Sequence, residues 1–232
     1  MHRILIFNLG GTSTKLAVFD EETLVVEGTI RHTDREIQGC TDNAEQIAFR
    51  RGAIEAWLLE NHISLDDLSA VVIRSSGAGL CKKGGTYLVT GKLRDGMYAA
   101  YRGSFPKAPH PSFIVLPLAD EILGSRPVPI YIVDPDGVDE FQDVAYITGH
   151  PDLPRSSGFH VLNHKAIARK ASRDLGKRYE DADLVVAHMG GGISIAAHRH
   201  GLVVDSTSGG SAGEGPFGTN RTGPLPLNKL VD

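Results

Sequence analysis

Cysteine is scarce in this chain: Cys40 and Cys81 are the only two in 232 residues. A disulfide framework is excluded, and the pair reads as free thiols in a reducing compartment. An excess of positive charge is also missing. Lys and Arg number 24 against 28 Asp and Glu, a net charge of −4, so no general attraction to nucleic acid or anionic membrane is expected. Long hydrophobic runs are absent as well. The apolar start Ile4-Leu5-Ile6-Phe7 stops at Asn8, too short for a signal-peptide core or a membrane span. The expected location is the cytoplasm. No G-x-x-x-x-G-K-[ST] occurs, so a Walker loop is absent, and the glycine turn after the first strand is not a G-x-G-x-x-G dinucleotide fingerprint.

What is abundant is glycine, 27 residues, and it clusters. Apolar strand patterns over 3–8 and 15–19 flank the turn Leu9-Gly10-Gly11-Thr12-Ser13-Thr14, and 24–30 reads as a third strand. Helical spacing runs from Asn43 to about His62, and 112–123 looks helical despite Pro117. Short strands are expected at 70–73, 87–89 and 129–133, and a helix with a basic face at 161–179. Three more strands follow at 184–188, 193–198 and 202–205. The chain is then Gly, Ser, Thr and Pro from Ser206 to Pro226, which predicts a long polar loop, and 226–232 resembles the first turn of a helix.

The first strand pair recurs at an offset of 180 residues. Ile4 to Gly11 lies over Leu184 to Gly191, and Leu16-Ala17-Val18-Phe19 over Ala196-Ala197-His198-Arg199, each pair being followed by a third strand. A strand–turn–strand–strand unit used twice suggests a duplicated domain; two unrelated hairpins with permissive glycines are the alternative. The reading is two α/β domains, 1–150 and 151–232, with the second one's set of covering helices incomplete.

The turn from Asn8 to Lys15 has what a phosphate site needs. Gly10 and Gly11 let backbone N–H groups approach an anion, Thr12 and Ser13 donate hydroxyls, and Lys15 adds a point charge. Gly190, Gly191 and Gly192 allow a second close approach, and Asn8 and His188 hold equivalent places before the two turns. Two such turns facing across a cleft would grip a polyphosphate from both sides. His160 and His164, one helical turn apart, could suggest a metal pair, but no third ligand of suitable spacing is evident. His198 and His200 flank Arg199 on a polar hairpin and read as solvated; Asp134 before Pro135 could simply end a strand.

Asn8 to Lys15, Asp134-Pro135, Thr148 to Pro151, Phe159-His160-Val161-Leu162-Asn163-His164-Lys165, Ala187 to Gly201 and Gly213 to Phe217 together resemble the butyrate kinases of the acetate-kinase family, in order and spacing. The resemblance implies duplicated actin-like (ribonuclease H-like) domains, with mixed sheets flanked by helices, and transfer of a phosphoryl group from ATP to butyrate. It implies that Arg74 and Arg221 grip the carboxylate and the transferring phosphoryl group, a task suited to planar, bidentate guanidinium. It further implies that His160 hydrogen-bonds the phosphoryl group and that His188 lies near the phosphates. Asp134 would sit beside the carboxylate and metal, Asn8 would hold Mg²⁺ through water, and Ser13 and Lys15 would serve the phosphate turn. The implied partners are ATP and a short-chain carboxylate, with neither nucleic acid nor membrane, in a homo-oligomer.

The pattern departs from the family at Leu9 and Gly11, where proline and serine are usual, and across Ser206 to Ala212. Family chains also continue past Asp232 with residues for the adenosine pocket and a metal-holding glutamate. A catalytically inert remnant of such a kinase is therefore the competing expectation.

Overall fold

The computed structural model describes residues 1–104, 110–207, 215–219 and 222–225. Two compact units emerge: Met1–Leu80 with Thr86–Val133, and Cys81–Gly85 with Asp134 onward. The sequence reading set its boundary at 150; the division by contact falls at Val133/Asp134.

The first unit is built on β1 (Arg3–Leu9), β2 (Ser13–Asp20), β3 (Thr23–Arg31), β4 (Ala70–Ile73), β5 (Thr86–Leu88) and β6 (Ile130–Val133). The sheet order is β3-β2-β1-β4-β6-β5. β1, β4 and β6 are parallel, and the other pairings antiparallel. Helices α1 (Asp34–Gly39), α2 (Asn43–Glu60), α3 (Gly91–Gly103) and α4 (Val115–Leu123) complete it. Asp42 caps α2 by accepting from the Glu45 N–H. Pro117 is tolerated because it lies in the first turn of α4, where no helical N–H partner exists. The core gathers Leu5, Phe7, Leu9, Leu16 and Val18 of the sheet, with Ile47, Ile54 and Leu58 of α2 and Val115 to Ala119 of α4.

Sequence reading missed α1 and α3. α1 is six residues with none buried, so it carries no apolar stripe; a Thr33/Glu36 capping box holds it. α3 contains Gly91, Gly96 and Gly103, which argue against a helix by propensity. Gly96 has a packing reason: a Cβ there would come within 2.5 Å of a Leu80 methyl.

The second unit holds α5 (Val161–Asp174) and the antiparallel sheet β7 (Leu184–Met189), β8 (Ile193–Arg199) and β9 (Leu202–Ser206). The helix expected over 161–179 stops early. Gly176 takes φ +67°, the Gly176 N–H donates to the Arg173 carbonyl and the Lys177 N–H to that of Ser172, the pairing of a Schellman cap. Residues 81–85 belong here because Gly84 donates to the Glu140 carboxylate, Gly85 to Asp134, and Asp139 to the Lys82 carbonyl. Glu140 also forms a buried ion pair of 2.8 Å with Lys165 of α5 and accepts from the Val203 N–H of β9.

The described residues after Ser206 contain no helix or extended strand, in keeping with a polar loop. The helical turn expected at 226–232 lies outside the described residues.

The repeat is visible in the ladders, with a correction. Leu9 pairs with Thr14, and Met189 with Ile193, so the second turn is one residue shorter. A register shift falls between Val18 and Phe19 in β2, and between Ala197 and His198 in β8. Leu16 to Phe19 therefore lies over Ile195 to His198, not over Ala196 to Arg199.

The two copies bury opposite faces. Leu5, Phe7 and Leu9 are core, while their counterparts Val185 and Met189 are 76% and 80% exposed. The face of the second copy that is buried carries Val186, Ser194, Ala196 and His198. In the first unit the covering helix is α2, which follows the third strand; in the second it is α5, which precedes the first. Inward and outward residues alternate along a strand, so the choice of covering helix decides which half of the repeat becomes core.

Candidate functional site

In the first unit the glycine turn is braced from behind. Arg50, on α2, is fully buried. Its guanidinium donates to the carbonyls of Gly10 at 2.9 Å, Gly11 at 3.0 Å and Ser13 at 3.1 Å, and to Thr14 Oγ1 at 2.9 Å. The Thr12 carbonyl accepts from the His32 N–H at 2.9 Å, and the His32 ring meets Thr14 Oγ1 at 2.8 Å. Four successive carbonyls are thus turned inward. In a trans peptide the N–H points opposite the C=O, so the amides of Gly11 and Thr12 are turned away from Arg50. Consecutive amides aimed one way make an anion nest. Burial lowers the Arg50 pKa, and burial, with the nearby Arg50 guanidinium adding to it, holds that of His32 down. Among the described residues no carboxylate pairs with Arg50, so a buried positive charge stands behind the turn.

Asn8, Lys15 and Thr29 stand in one cross-strand row on the opposite face of this sheet. They line an open cavity of about 510 Å³ with Ile6, Ala17 and Glu27. Arg74 follows β4 and its N–H donates to the Phe7 carbonyl at 3.0 Å, which sets it at the same strand ends as Asn8. The first unit thus brings Asn8, the Gly10–Ser13 turn, Lys15 and Arg74 to one end of the sheet. Ligand sites in open α/β sheets form at the carboxyl ends of strands.

In the second unit Asp134 has φ +42° and a fully buried carboxylate. Arg169 grips both oxygens, at 2.5 and 3.1 Å, and the Gly85 N–H donates at 2.8 Å. Arg169, which the sequence reading did not single out, is Asp134's ionic partner in this structure.

The histidines form a chain. His160 stacks on His188 at 3.7 Å between centroids, 7° from parallel. Asn163 meets His188 Nδ1 at 2.9 Å. Ser194 Oγ lies 2.8 Å from both His160 Nδ1 and His164 Nε2. His164 stacks in turn on His198, whose Nδ1 meets the Tyr179 hydroxyl at 2.7 Å. Burial, with the neighbouring rings adding to it, pushes His164 down to about 4, and burial does the same to His198. Both are neutral at pH 7 and hydrogen-bond within the cluster. This corrects the reading of His198 as solvated: it alternates inward with Ser194 and Ala196 along β8, a period-two signal that was available in the sequence. His200 is exposed as expected. His160 and His164 share a serine, and no group of three or more His, Cys, Asp or Glu among the described residues could hold a metal.

Gly190 to Gly192 form the second turn, closed by the Gly190 N–H on the Gly192 carbonyl. A Cβ at 190 would come within 3.1 Å of His188 Nε2, so a side chain there would push on the His188 ring. Gly218 packs against the Gly191 carbonyl. Arg221 lies outside the described residues. No described helix is long and apolar enough to cross a membrane.

The strand–turn hairpin used twice is that of the actin-like ATPase fold, and the solved structures agree. An acetate kinase from Porphyromonas gingivalis superposes with a TM-score of 0.75 at 18% identity, over all of this chain and 63% of that one. A propionate kinase from Francisella tularensis gives 0.69 at 17%, again over all of this chain and 63% of that one. Relatedness by sequence is closer. Butyrate kinase 1 of Clostridium acetobutylicum is 41% identical over 100% of this chain and 63% of its own length. A probable butyrate kinase of Clostridium botulinum is 40% identical over 99% and 63%. The acetokinase family model matches residues 150–227. The chain is thus similar to the butyrate kinases along its whole length, with the acetokinase match confined to 150–227, and it spans 63% of the length of these curated relatives.

Proposed function

We propose that this chain belongs to a carboxylate kinase that transfers the γ-phosphoryl group of ATP to a short-chain carboxylate, butyrate first among them. The observation that carries the reading is the whole-chain identity of 41% to a butyrate kinase; the braced turn and the stacked histidines supply a chemistry that suits it.

A carboxylate is already a competent nucleophile, so no strong base is needed. The work is to hold two anions in line and to stabilise charge on the equatorial oxygens. In this reading the amides of Gly11 and Thr12, the Ser13 hydroxyl and Lys15 bind phosphate, with the Arg50 charge behind them. Arg74 and Arg221 orient the carboxylate and the phosphoryl group. His160 donates a hydrogen bond to the phosphoryl oxygens, His188 lies beside the phosphates, and the 190–192 turn lets them approach closely. Mg²⁺, when bound with ATP, would supply charge neutralisation, and Asn8 would hold it through water. Asp134 acts on the carboxylate side through Arg169. A carboxylate oxygen bonds to the γ-phosphorus as the bridging bond to ADP breaks, with no phosphoenzyme. The protein works in the cytoplasm as a homo-oligomer.

An acyl-hydroxamate assay on the 232-residue chain, with MgATP and butyrate, acetate and isobutyrate in parallel, tests this. Product with a preference for butyrate is expected. No product with any acid would leave an inert relative of such kinases as the better description.

A further inference from the structure

We infer that Ser194 transmits one direction of hydrogen bonding from His164 to His160, and so holds His160 as the neutral tautomer with its proton on Nε2. The argument is a count of protons. A serine hydroxyl has one proton and two lone pairs. Ser194 Oγ is approached by the His160 backbone N–H at 3.4 Å and by two ring nitrogens, His160 Nδ1 and His164 Nε2, each at 2.8 Å. The backbone N–H can only donate, and it takes one lone pair. One ring nitrogen must then donate to the oxygen while the other accepts its proton.

His164 decides which. Its ring is fully buried, and its Nδ1 has no hydrogen-bond partner among the described residues. If Ser194 donated to His164 Nε2, the proton of the neutral ring would sit on Nδ1 as an orphaned buried donor. With the proton on Nε2, the ring donates to Ser194 and only a lone pair goes unmet. Orphaned buried N–H groups are the rarer and costlier defect. A charged His164 would evade the choice, but burial lowers its pKa to about 4. So His164 Nε2–H donates to Ser194, Ser194 donates to His160 Nδ1, and the His160 proton is on Nε2. His188, stacked on the same ring, faces an Asn163 amide at its own Nδ1.

The functional consequence rests on the kinase reading: His160 then meets a phosphoryl oxygen as a ready donor, with no tautomer exchange before each turnover. Ser194 is a positioning residue for it.

The test is ¹⁵N NMR of the histidine rings in the whole chain at pH 7.5, with His160 assigned by the signal lost in His160→Gln. The neutral Nε2–H form is expected, with a hydrogen-bonded Nδ1 whose shift moves in Ser194→Ala and is kept in Ser194→Thr. A proton on Nδ1 in the wild type, or a Nδ1 shift identical in wild type and Ser194→Ala, would overturn the inference. In the hydroxamate assay, kcat should fall about tenfold in Ser194→Ala with the ATP KM within about twofold, and recover in Ser194→Thr. A wild type without kinase activity would overturn the function and leave the tautomer decided by the spectra.

Discussion

Arg50→Met tests the first turn directly. Methionine fills similar length without charge or donors, so the carbonyls of Gly10, Gly11 and Ser13 and the Thr14 hydroxyl lose a shared partner. Hydrogen bonds to a charged group contribute about 1.5–3 kcal/mol each, though four from one guanidinium do not add. Relief from burying an unpaired charge offsets part of the loss, leaving about 3–5 kcal/mol of destabilisation. The effect on binding is separate. A unit charge roughly 8 Å from a phosphate, at an effective dielectric of about 20, contributes about 2 kcal/mol, or about 30-fold in affinity. Calorimetric titration with pyrophosphate and with MgATP, at a temperature where far-UV circular dichroism shows the variant folded, reads the second effect. Arg50→Lys, which keeps charge but loses the fork, should fall between the two. A folded Arg50→Met that binds as the wild type does would refute the claim that this buried charge organises an anion site.

Acid should loosen the second unit through His164 and His198. Both are bases with a native pKa near 4 against the usual 6.5, so the unfolded chain binds more protons and stability falls as pH drops from 6.5 toward 4. At pH 5 each contributes a loss of about 2 kcal/mol relative to pH 7.5. Amide exchange along β8 should report it, and a pH profile unchanged in His164→Gln/His198→Gln would contradict it. Lys165→Met strands the Glu140 carboxylate in the interior and should destabilise by about 3–5 kcal/mol, with exchange at the Gly84 and Val203 amides rising first; protection equal to wild type would refute the pair's role. Gly28→Ala puts a Cβ 2.3 Å from Trp57 Nε1, so the ring must move. A loss of about 1–3 kcal/mol and a shifted emission from this single tryptophan are expected; unaltered emission would show that the contact is slack.

The amino-acid order by itself determined the strands, the long helix α2, the two glycine turns and their recurrence. These are local properties: period-two and period-3.6 apolar spacing, and glycine where the backbone must turn. It also carried enough family-specific spacing, around Asn8 to Lys15 and Phe159 to Lys165, to indicate a phosphoryl-transfer chemistry. The tertiary structure decided the rest. Arg50 lies 37 residues from Ser13, Glu140 25 from Lys165, and Arg169 35 from Asp134, and no pattern along the chain announces such partners. The same repeat buries Leu5, Phe7 and Leu9 in one unit and exposes Val185 and Met189 in the other. A strand offers two faces, and only the helix packed against it chooses between them. His198 shows this at the scale of one side chain. Its flanking polar residues suggested solvent, but α5 covers its face of β8, and burial made it a neutral partner of His164.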